Sequence, residues 1–178
     1  YDEGDEAMMP TTVTYASIIN LFAKCEHFEK AEFYLNELER KYNELHHESL
    51  RPNIICYNTC LSSFSRASKE AEALRAEALL HRMTHEAGLS PDSFSMTNVI
   101  SAWSNSNNPD RAENVLNTMQ SLYEGGNVSM KPTTVSFGAV LQGYARAGDV
   151  KRAEAIVEHM ETLMHTDGFG EMRPNSVI

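Results

Sequence analysis

One short amphipathic phrase occurs four times in this chain, and this repetition constrains the fold more than any other feature. The four copies are EKAEFYLNEL from Glu29, LRAEALLHRM from Leu74, DRAENVLNTM from Asp110 and VKRAEAIVEHM from Val150. They align on four alanines, namely Ala31, Ala76, Ala112 and Ala153. Apolar residues follow each alanine at the third, fourth and seventh positions, and this spacing predicts a helix with one apolar stripe.

A second phrase precedes each copy of the first. Its four versions are PTTVTYASIINLF, PNIICYNTCLSSF, PDSFSMTNVISAW and PTTVSFGAVLQGY, each of which begins with a proline. A polar residue suited to a helix N-cap usually follows the proline, and Asp92 is the best of these. Each version ends on an aromatic residue that we expect in the core: Phe22, Phe64, Trp103 and Tyr144. These phrases therefore predict a first helix in each unit.

The two phrases together form a unit of about 40 residues. A single helix pair cannot bury its own apolar faces, whereas stacked neighbours can, so this period predicts an all-α, right-handed solenoid of antiparallel helix pairs. We divide the chain into the end of a preceding repeat (1–11), four repeats (12–53, 54–92, 93–133 and 134–175) and the start of a further repeat (176–178).

Other classes of protein find little support in the sequence. No apolar run approaches the roughly 18 residues of a membrane span, and three cysteines do not make a disulfide framework. Cys56 with Cys60, and His81 with His85, have helical i, i+4 spacing but no second ligand pair, so we expect no metal and no cofactor. No catalytic motif is evident, and we expect no enzyme. The acidic N-terminus resembles neither a signal nor a transit peptide, and we interpret the chain as a piece of a longer protein.

The fourth unit, PTTVSFGAVLQGYARAGDVKRAEAIVEHM, resembles the pentatricopeptide repeat family most clearly. The repeat of that family has a proline followed by a polar residue, a first helix with an early aromatic, a glycine turn, and Ala and Met on the second helix. The resemblance covers nearly the whole chain, although the units are a few residues longer than usual. It implies binding of single-stranded RNA, one base per repeat, by an organellar factor for RNA processing, stability or translation in a mitochondrion or plastid.

The resemblance also implies a role for particular residues. The base-reading pairs would be Ala16 with Asn53, Asn58 with Asp92, Thr97 with Thr133, and Gly138 with Asn175. Only the pair of Asn58 and Asp92, in repeat 2, matches a well-populated combination of the family, and it implies uracil. The base-clamping residues would be Val13, Ile55, Phe94 and Val135. The phosphate contacts would be Lys24, Arg66 and Arg146, with Asn105 at the same position of repeat 3.

A net charge of −10 argues against a nucleic-acid partner, because such partners favour a basic surface. However, none of the 25 acidic residues of the chain lies in the expected first helices, at 12–24, 54–66, 93–105 and 134–146. The surface implied to meet RNA is therefore neutral to basic. Burial of first helices between neighbouring repeats would exclude acidic residues equally well, so the pattern alone leaves both explanations open.

The alternative function is a protein-interaction scaffold within a ribonucleoprotein or ribosome. The negative charge favours it, as does the absence of a hydrogen-bonding side chain at Ala16 and Gly138. The clamp residues could instead be hydrophobic staples, and the three basic residues could be favourable charges at helix C-termini. A third alternative is a binding module beside a catalytic domain elsewhere in a longer chain. Basic residues at the ends of the first helices favour RNA over the scaffold.

Overall fold

The structure, a computed structural model, describes residues 9–66 and 68–164, and within these ranges it contains eight α-helices and no β-strand. The helices are α1 (Thr12–Lys24), α2 (Phe28–Leu45), α3 (Ile54–Phe64), α4 (Glu70–His85), α5 (Ser93–Asn105), α6 (Pro109–Glu124), α7 (Thr134–Ala147) and α8 (Val150–Met164). Two single-turn 3₁₀ segments, Glu48–Leu50 and Val128–Met130, lie in the connections after α2 and α6. The predicted all-α fold is confirmed.

The first helix of each pair begins directly after the polar residue that follows a proline. The four N-caps are Thr11, Asn53, Asp92 and Thr133. Asn53 Oδ1 accepts hydrogen bonds from the backbone N–H groups of Ile55 (3.1 Å) and Cys56 (3.2 Å). Asp92 Oδ1 accepts from the Ser95 N–H at 2.8 Å. These bonds satisfy backbone donors that have no partner inside the helix, and they determine where each first helix begins.

The helices form two layers. In the first layer α1, α3, α5 and α7 lie side by side, each in contact with the next. In the second layer α2, α4, α6 and α8 each pack on their own first helix, and α2, α4 and α6 also contact the following first helix. A first helix inside the array is therefore covered by its own partner and by both helices of the preceding pair. This arrangement buries the apolar stripes that an isolated pair would leave in water.

Three of the four aromatic residues at the ends of the first helices are fully buried: Phe64, Trp103 and Tyr144. Phe22 on α1 is only half-buried and packs against the edge of the core, so its expected place in the core is confirmed only in part. The reason is that no preceding pair covers α1 within the described residues. Phe22 instead stacks on Tyr34 of α2, with ring centroids 5.5 Å apart and nearly parallel planes.

A glycine allows close packing between successive pairs. A Cβ added to Gly143 on α7 would lie 3.0 Å from Ser104 Oγ and 3.1 Å from Pro109 Cβ. Any side chain at this position would separate α7 from α5 and from the start of α6. No helix in the described ranges has the length and apolar character needed to cross a membrane.

Candidate nucleic-acid interface

The first helices expose one face to solvent, which we call the first-helix face. It is formed by four residues of each repeat, all on α1, α3, α5 and α7 except Arg66, which lies two residues beyond the end of α3. The residues are Val13, Ser17, Asn20 and Lys24; Ile55, Thr59, Ser62 and Arg66; Phe94, Asn98, Ser101 and Asn105; Val135, Ala139, Gln142 and Arg146. The spacing i, i+4, i+7, i+11 places each set along one side of its helix. Most of these residues are exposed or half-exposed, and Asn98 is the one buried member.

Large apolar side chains occupy the same position at the start of every first helix. The four expected clamp residues are exposed, from 56% for Phe94 to 75% for Val13, with Ile55 at 62% and Val135 at 66%. Because the first helices lie side by side, these side chains form a row along the first-helix face. They are not in the core, so they are available at the surface, and their expected clamping of bases stays a prediction.

Among the expected base-reading pairs, Asn58 and Asp92 are joined directly. Asn58 Nδ2 donates to Asp92 Oδ1 at 3.2 Å and to Oδ2 at 3.3 Å. The buried Ser95 hydroxyl donates to Asn58 Oδ1 at 2.5 Å. Since Asp92 also caps α5, this network connects the half-buried Asn58 on α3 to the start of the next first helix. The sequence did not indicate Ser95, because its contact with Asn58 crosses from one repeat to the next.

The other described pairs are not joined in this way. Thr97 Oγ1 donates to the Ser93 carbonyl at 2.6 Å, and Thr133 Oγ1 accepts from the Ser136 N–H at 3.3 Å, so each hydroxyl bonds within its own helix. Ala16 is half-buried, and Asn53, its expected partner, uses its side-chain Oδ1 to cap α3.

The last expected pair is only partly described. A Cβ added at Gly138 would find no atom within 4 Å, so the space there is open. Asn175, its expected partner, lies outside the described residues.

The expected phosphate-binding residues form a second row, at the opposite end of the first helices, and we call it the cation row. Lys24 is exposed and has no ion-pair partner within the described ranges. Arg66 pairs with Glu26 at 3.1 Å. Arg146 donates to Asn105 Oδ1, and Asn105 Nδ2 donates to the Ser65 carbonyl at 2.6 Å. Each later member of the row thus contacts the preceding repeat.

The opposite surface carries a ladder of ion pairs between successive second helices. The pairs are Arg75 with Glu32, Arg111 with Glu77 (3.4 Å) and Arg152 with Glu113 (3.3 Å). Each arginine directly precedes the aligned alanine of its repeat, and each glutamate directly follows the alanine of the repeat before. The triplet Arg-Ala-Glu at 75–77, 111–113 and 152–154 was the sequence signal for this ladder, although only the structure pairs its members across repeats.

Chemically reactive groups are scarce on either surface. Within the described ranges no group of three His, Cys, Asp or Glu side chains could hold a metal ion. Burial raises the pKa of the Cys56 thiol and, more strongly, that of Cys60, so neither is activated as a nucleophile. His81 and His85 lie with ring centroids 4.1 Å apart.

Comparison with known proteins identifies the family. Residues 40–165 match the model of the pentacotripeptide-repeat region of PRORP, and residues 13–42 match the model of the PPR repeat. The chain belongs to the pentatricopeptide repeat family. The expected resemblance is thereby confirmed over most of the chain.

Curated pentatricopeptide relatives are considerably longer than this chain. A chloroplastic pentatricopeptide repeat-containing protein of Arabidopsis thaliana is 25% identical over 158 residues, which cover 89% of this chain and 18% of that protein. Another chloroplastic member from the same plant is 28% identical over 112 residues, covering 63% of this chain and 20% of the relative. The chain therefore spans about a fifth of the length of these relatives.

Solved pentatricopeptide structures share the fold. Maize PPR10 superposes with a TM-score of 0.69 at 22% identity, over 87% of this chain and 20% of PPR10. PPR10 in complex with an 18-nt psaJ RNA element superposes with a TM-score of 0.68 at 24% identity, over 92% of this chain and 20% of PPR10. The PPR domain of Arabidopsis thaliana protein-only RNase P 1, in complex with tRNA, superposes with a TM-score of 0.60 at 20% identity, over 86% of this chain and 72% of that domain. These likenesses establish a helical-repeat solenoid.

Proposed function

We propose that this pentatricopeptide segment binds single-stranded RNA along its first-helix face, as part of an organellar factor for RNA processing, stability or translation. The observation that carries the proposal is the network of Asn58, Asp92 and Ser95 between two exposed apolar side chains. Ile55 stands three residues before Asn58 on α3, and Phe94 stands two residues after Asp92 on α5. A base inserted between Ile55 and Phe94 would have an apolar contact on each face and the Asn58 amide at its edge.

The remaining hydrogen-bonding capacity of Asn58 favours uracil. Its amide has two N–H donors and a carbonyl oxygen with two lone pairs. Asp92 takes one donor and the Ser95 hydroxyl takes one lone pair, which leaves one donor beside one acceptor. Uracil presents the complementary pair, a carbonyl oxygen beside an N–H. We therefore propose uracil at repeat 2 and weaker base selection at the pairs of Ala16 and Gly138, which lack such groups.

The comparisons support this proposal by analogy. PPR10 has been solved with an 18-nt RNA element, and the PPR domain of the Arabidopsis RNase P with tRNA. Two of the Arabidopsis relatives compared above are named as chloroplastic, which supports an organellar site, and either a mitochondrion or a plastid fits the family. We propose that this segment contributes binding, and that any catalysis in a longer chain would come from another domain.

A protein-interaction scaffold remains the second candidate, because two observations favour it. The chain carries a net charge of −10, and Arg66 of the cation row is already paired with Glu26. A protein partner would use the exposed apolar row without needing phosphate contacts.

The deciding experiment is fluorescence anisotropy with a labelled U-rich RNA of 18 nucleotides, the length bound by PPR10. The same sequence annealed to its complement serves as the control. We expect the single strand to bind and the affinity to fall as salt rises, because phosphate contacts release counterions. Equal binding of strand and duplex, or no binding at 50 mM salt, would favour the scaffold.

A further inference from the structure

The cation row is not uniform, and the difference lies in what each arginine contacts in the preceding repeat. Arg66 of repeat 2 meets the carboxylate of Glu26, with 3.1 Å between Nη1 and Oε1. Arg146 of repeat 4 meets the neutral amide oxygen of Asn105. A carboxylate cancels the charge of its arginine, whereas an amide leaves that charge available to a phosphate.

Glu26 occupies a backbone position where a glutamate is unfavourable. It lies in the turn between α1 and α2 with φ of 59°, in the left-handed region. The same place in two of the three later turns, two residues after the cation-row position, is held by Asn107 (φ 62°) and Gly148 (φ 73°). Asparagine and glycine tolerate this conformation better than glutamate does, so the backbone does not account for an acidic side chain here.

Glu26 is the acidic residue that pairs with the cation row within the described ranges. Asp149, in the corresponding connection before α8, instead caps that helix by accepting a hydrogen bond from the Arg152 N–H at 3.1 Å. The Arg66–Glu26 pair is open to solvent, with the two side chains 62% and 68% exposed. Such a pair is weak, so a ligand phosphate can take the place of the carboxylate beside Arg66. Because the Arg66–Glu26 contact is lost at the same time, the net electrostatic gain from the new phosphate contact is small.

We propose that Glu26 masks Arg66 and makes repeat 2 the weakest phosphate contact of the basic residues in the row. This inference rests on the proposed RNA binding. Repeat 2 would then combine the best-formed base-reading pair with the weakest phosphate contact. Its affinity for a strand would therefore depend more on the identity of the base. Glu26 thus acts as a specificity-determining residue that suppresses sequence-independent binding.

The test is a comparison of Glu26→Gln with the wild type in the anisotropy assay described above. Each phosphate contact on a single strand contributes about −0.7 to the slope of log affinity against log salt. We expect a slope near −1.4 for the wild type, from Lys24 and Arg146, and near −2.1 for the variant. The affinity for U-rich RNA should rise about threefold at 0.2 M salt and about eightfold at 50 mM salt, since one more counterion is released.

The matched control is Glu77→Gln, which removes an equally charged glutamate from an ion pair on the opposite surface. Glu77 pairs with Arg111 at 3.4 Å, and both side chains are about half-exposed. This variant has the same net charge as Glu26→Gln, so a general charge effect would raise its affinity equally. Our proposal requires that the affinity of Glu77→Gln stay within about twofold of the wild type.

A second arm places Glu26→Gln in an Arg66→Gln background. If Glu26 acts by masking Arg66, its removal has no effect once Arg66 is absent. Glu26→Asn, which suits the left-handed turn, should match the affinity gain of Glu26→Gln and excludes a folding artefact. A gain that persists without Arg66, or no gain over Glu77→Gln, would overturn the masking role while leaving RNA binding intact. Absence of binding by every variant would instead overturn the proposed function.

Discussion

The two surfaces of this solenoid use the same basic residue in opposite ways. On the second-helix side Arg75, Arg111 and Arg152 are each paired with a glutamate of the preceding repeat. On the first-helix face there is no acidic residue on the helices themselves, and Arg146 contacts an amide. Within the described ranges the acidic residues therefore lie on the second helices and in the connections, and none lies on a first helix. A local field, and not the net charge, determines whether a strand of phosphates can dock.

The difference also separates stability from binding. Ion pairs between second helices link one repeat to the next, and the Arg111 guanidinium lies 4.6 Å from the centroid of the Trp103 ring. The exposed apolar row on the first-helix face contributes little to the core. Changes on the second-helix side should therefore affect folding, whereas changes on the first-helix face should affect binding.

The largest effect should come from Trp103, which is fully buried between the two layers and supports Arg111. Trp103→Ala should lower the free energy of unfolding by roughly 3–5 kcal/mol, because a large cavity forms in the core. Urea denaturation followed by circular dichroism measures it. Phe22→Ala, at the same repeat position but half-exposed, is the control and should cost clearly less. Equal losses for the two variants would contradict the different burial of these residues.

The next effect tests the cation row as a unit. Changing Lys24, Arg66 and Arg146 together to Glu should reduce affinity for U-rich RNA by at least about 100-fold, since the two attractive contacts of Lys24 and Arg146 become repulsive and the masked Arg66 is replaced by a third carboxylate. The melting temperature should change little, because all three are exposed. The matched control changes Arg75, Arg111 and Arg152 to Glu, which should lower the melting temperature by placing like charges in contact across the ladder. If both triple variants lose the same amount of stability and the same RNA affinity, the division between a binding first-helix face and a stabilising second-helix side is wrong.

A smaller effect is expected from the apolar row. Phe94→Ala should weaken RNA binding by about 1–3 kcal/mol, the usual value of a stacked aromatic side chain. It should leave the free energy of unfolding nearly unchanged, because the side chain is 56% exposed. Val128→Ala, an exposed apolar residue in the connection after α6, is the control and should change neither quantity. A loss of stability without a loss of binding would identify Phe94 as a helix-start staple.

Much of the fold was predictable because it depends on local signals. A proline followed by a capping residue locates the starts of α1, α3, α5 and α7, and the i, i+3, i+4, i+7 pattern locates the second helices. The partial exposure of Phe22 was not predictable, since a repeat phrase does not show whether another pair covers it. The end of α3 at Phe64, two residues before the expected one, shows a similar limit, because helix ends depend on neighbouring loops.

The candidate site was predictable to a lesser degree, since its details depend on contacts between repeats. Comparing the repeats by position indicates which residues share a row, and the structure places the expected clamp residues in one exposed row. The sequence alone does not indicate that Ser95 would bond to Asn58, or that Glu26 would pair with Arg66, about 40 positions away. The roles of these residues toward RNA remain predictions.

The smallest effect concerns the choice of base at repeat 2. Asn58→Thr replaces an amide by a hydroxyl, which can donate one hydrogen bond and accept others but cannot offer the paired donor and acceptor of Asn58. Within the resembled family, Thr beside the same Asp goes with guanine. We therefore expect the preferred base at one position to change from U toward G by about 1 kcal/mol, the scale of one hydrogen bond. Competition between two RNAs that differ at that base measures the change. The control is Thr97→Ser, in the repeat whose base-reading pair is not joined, and it should leave the preferred base unaltered. An equal loss of affinity for every base in Asn58→Thr would show that Asn58 does not select the base.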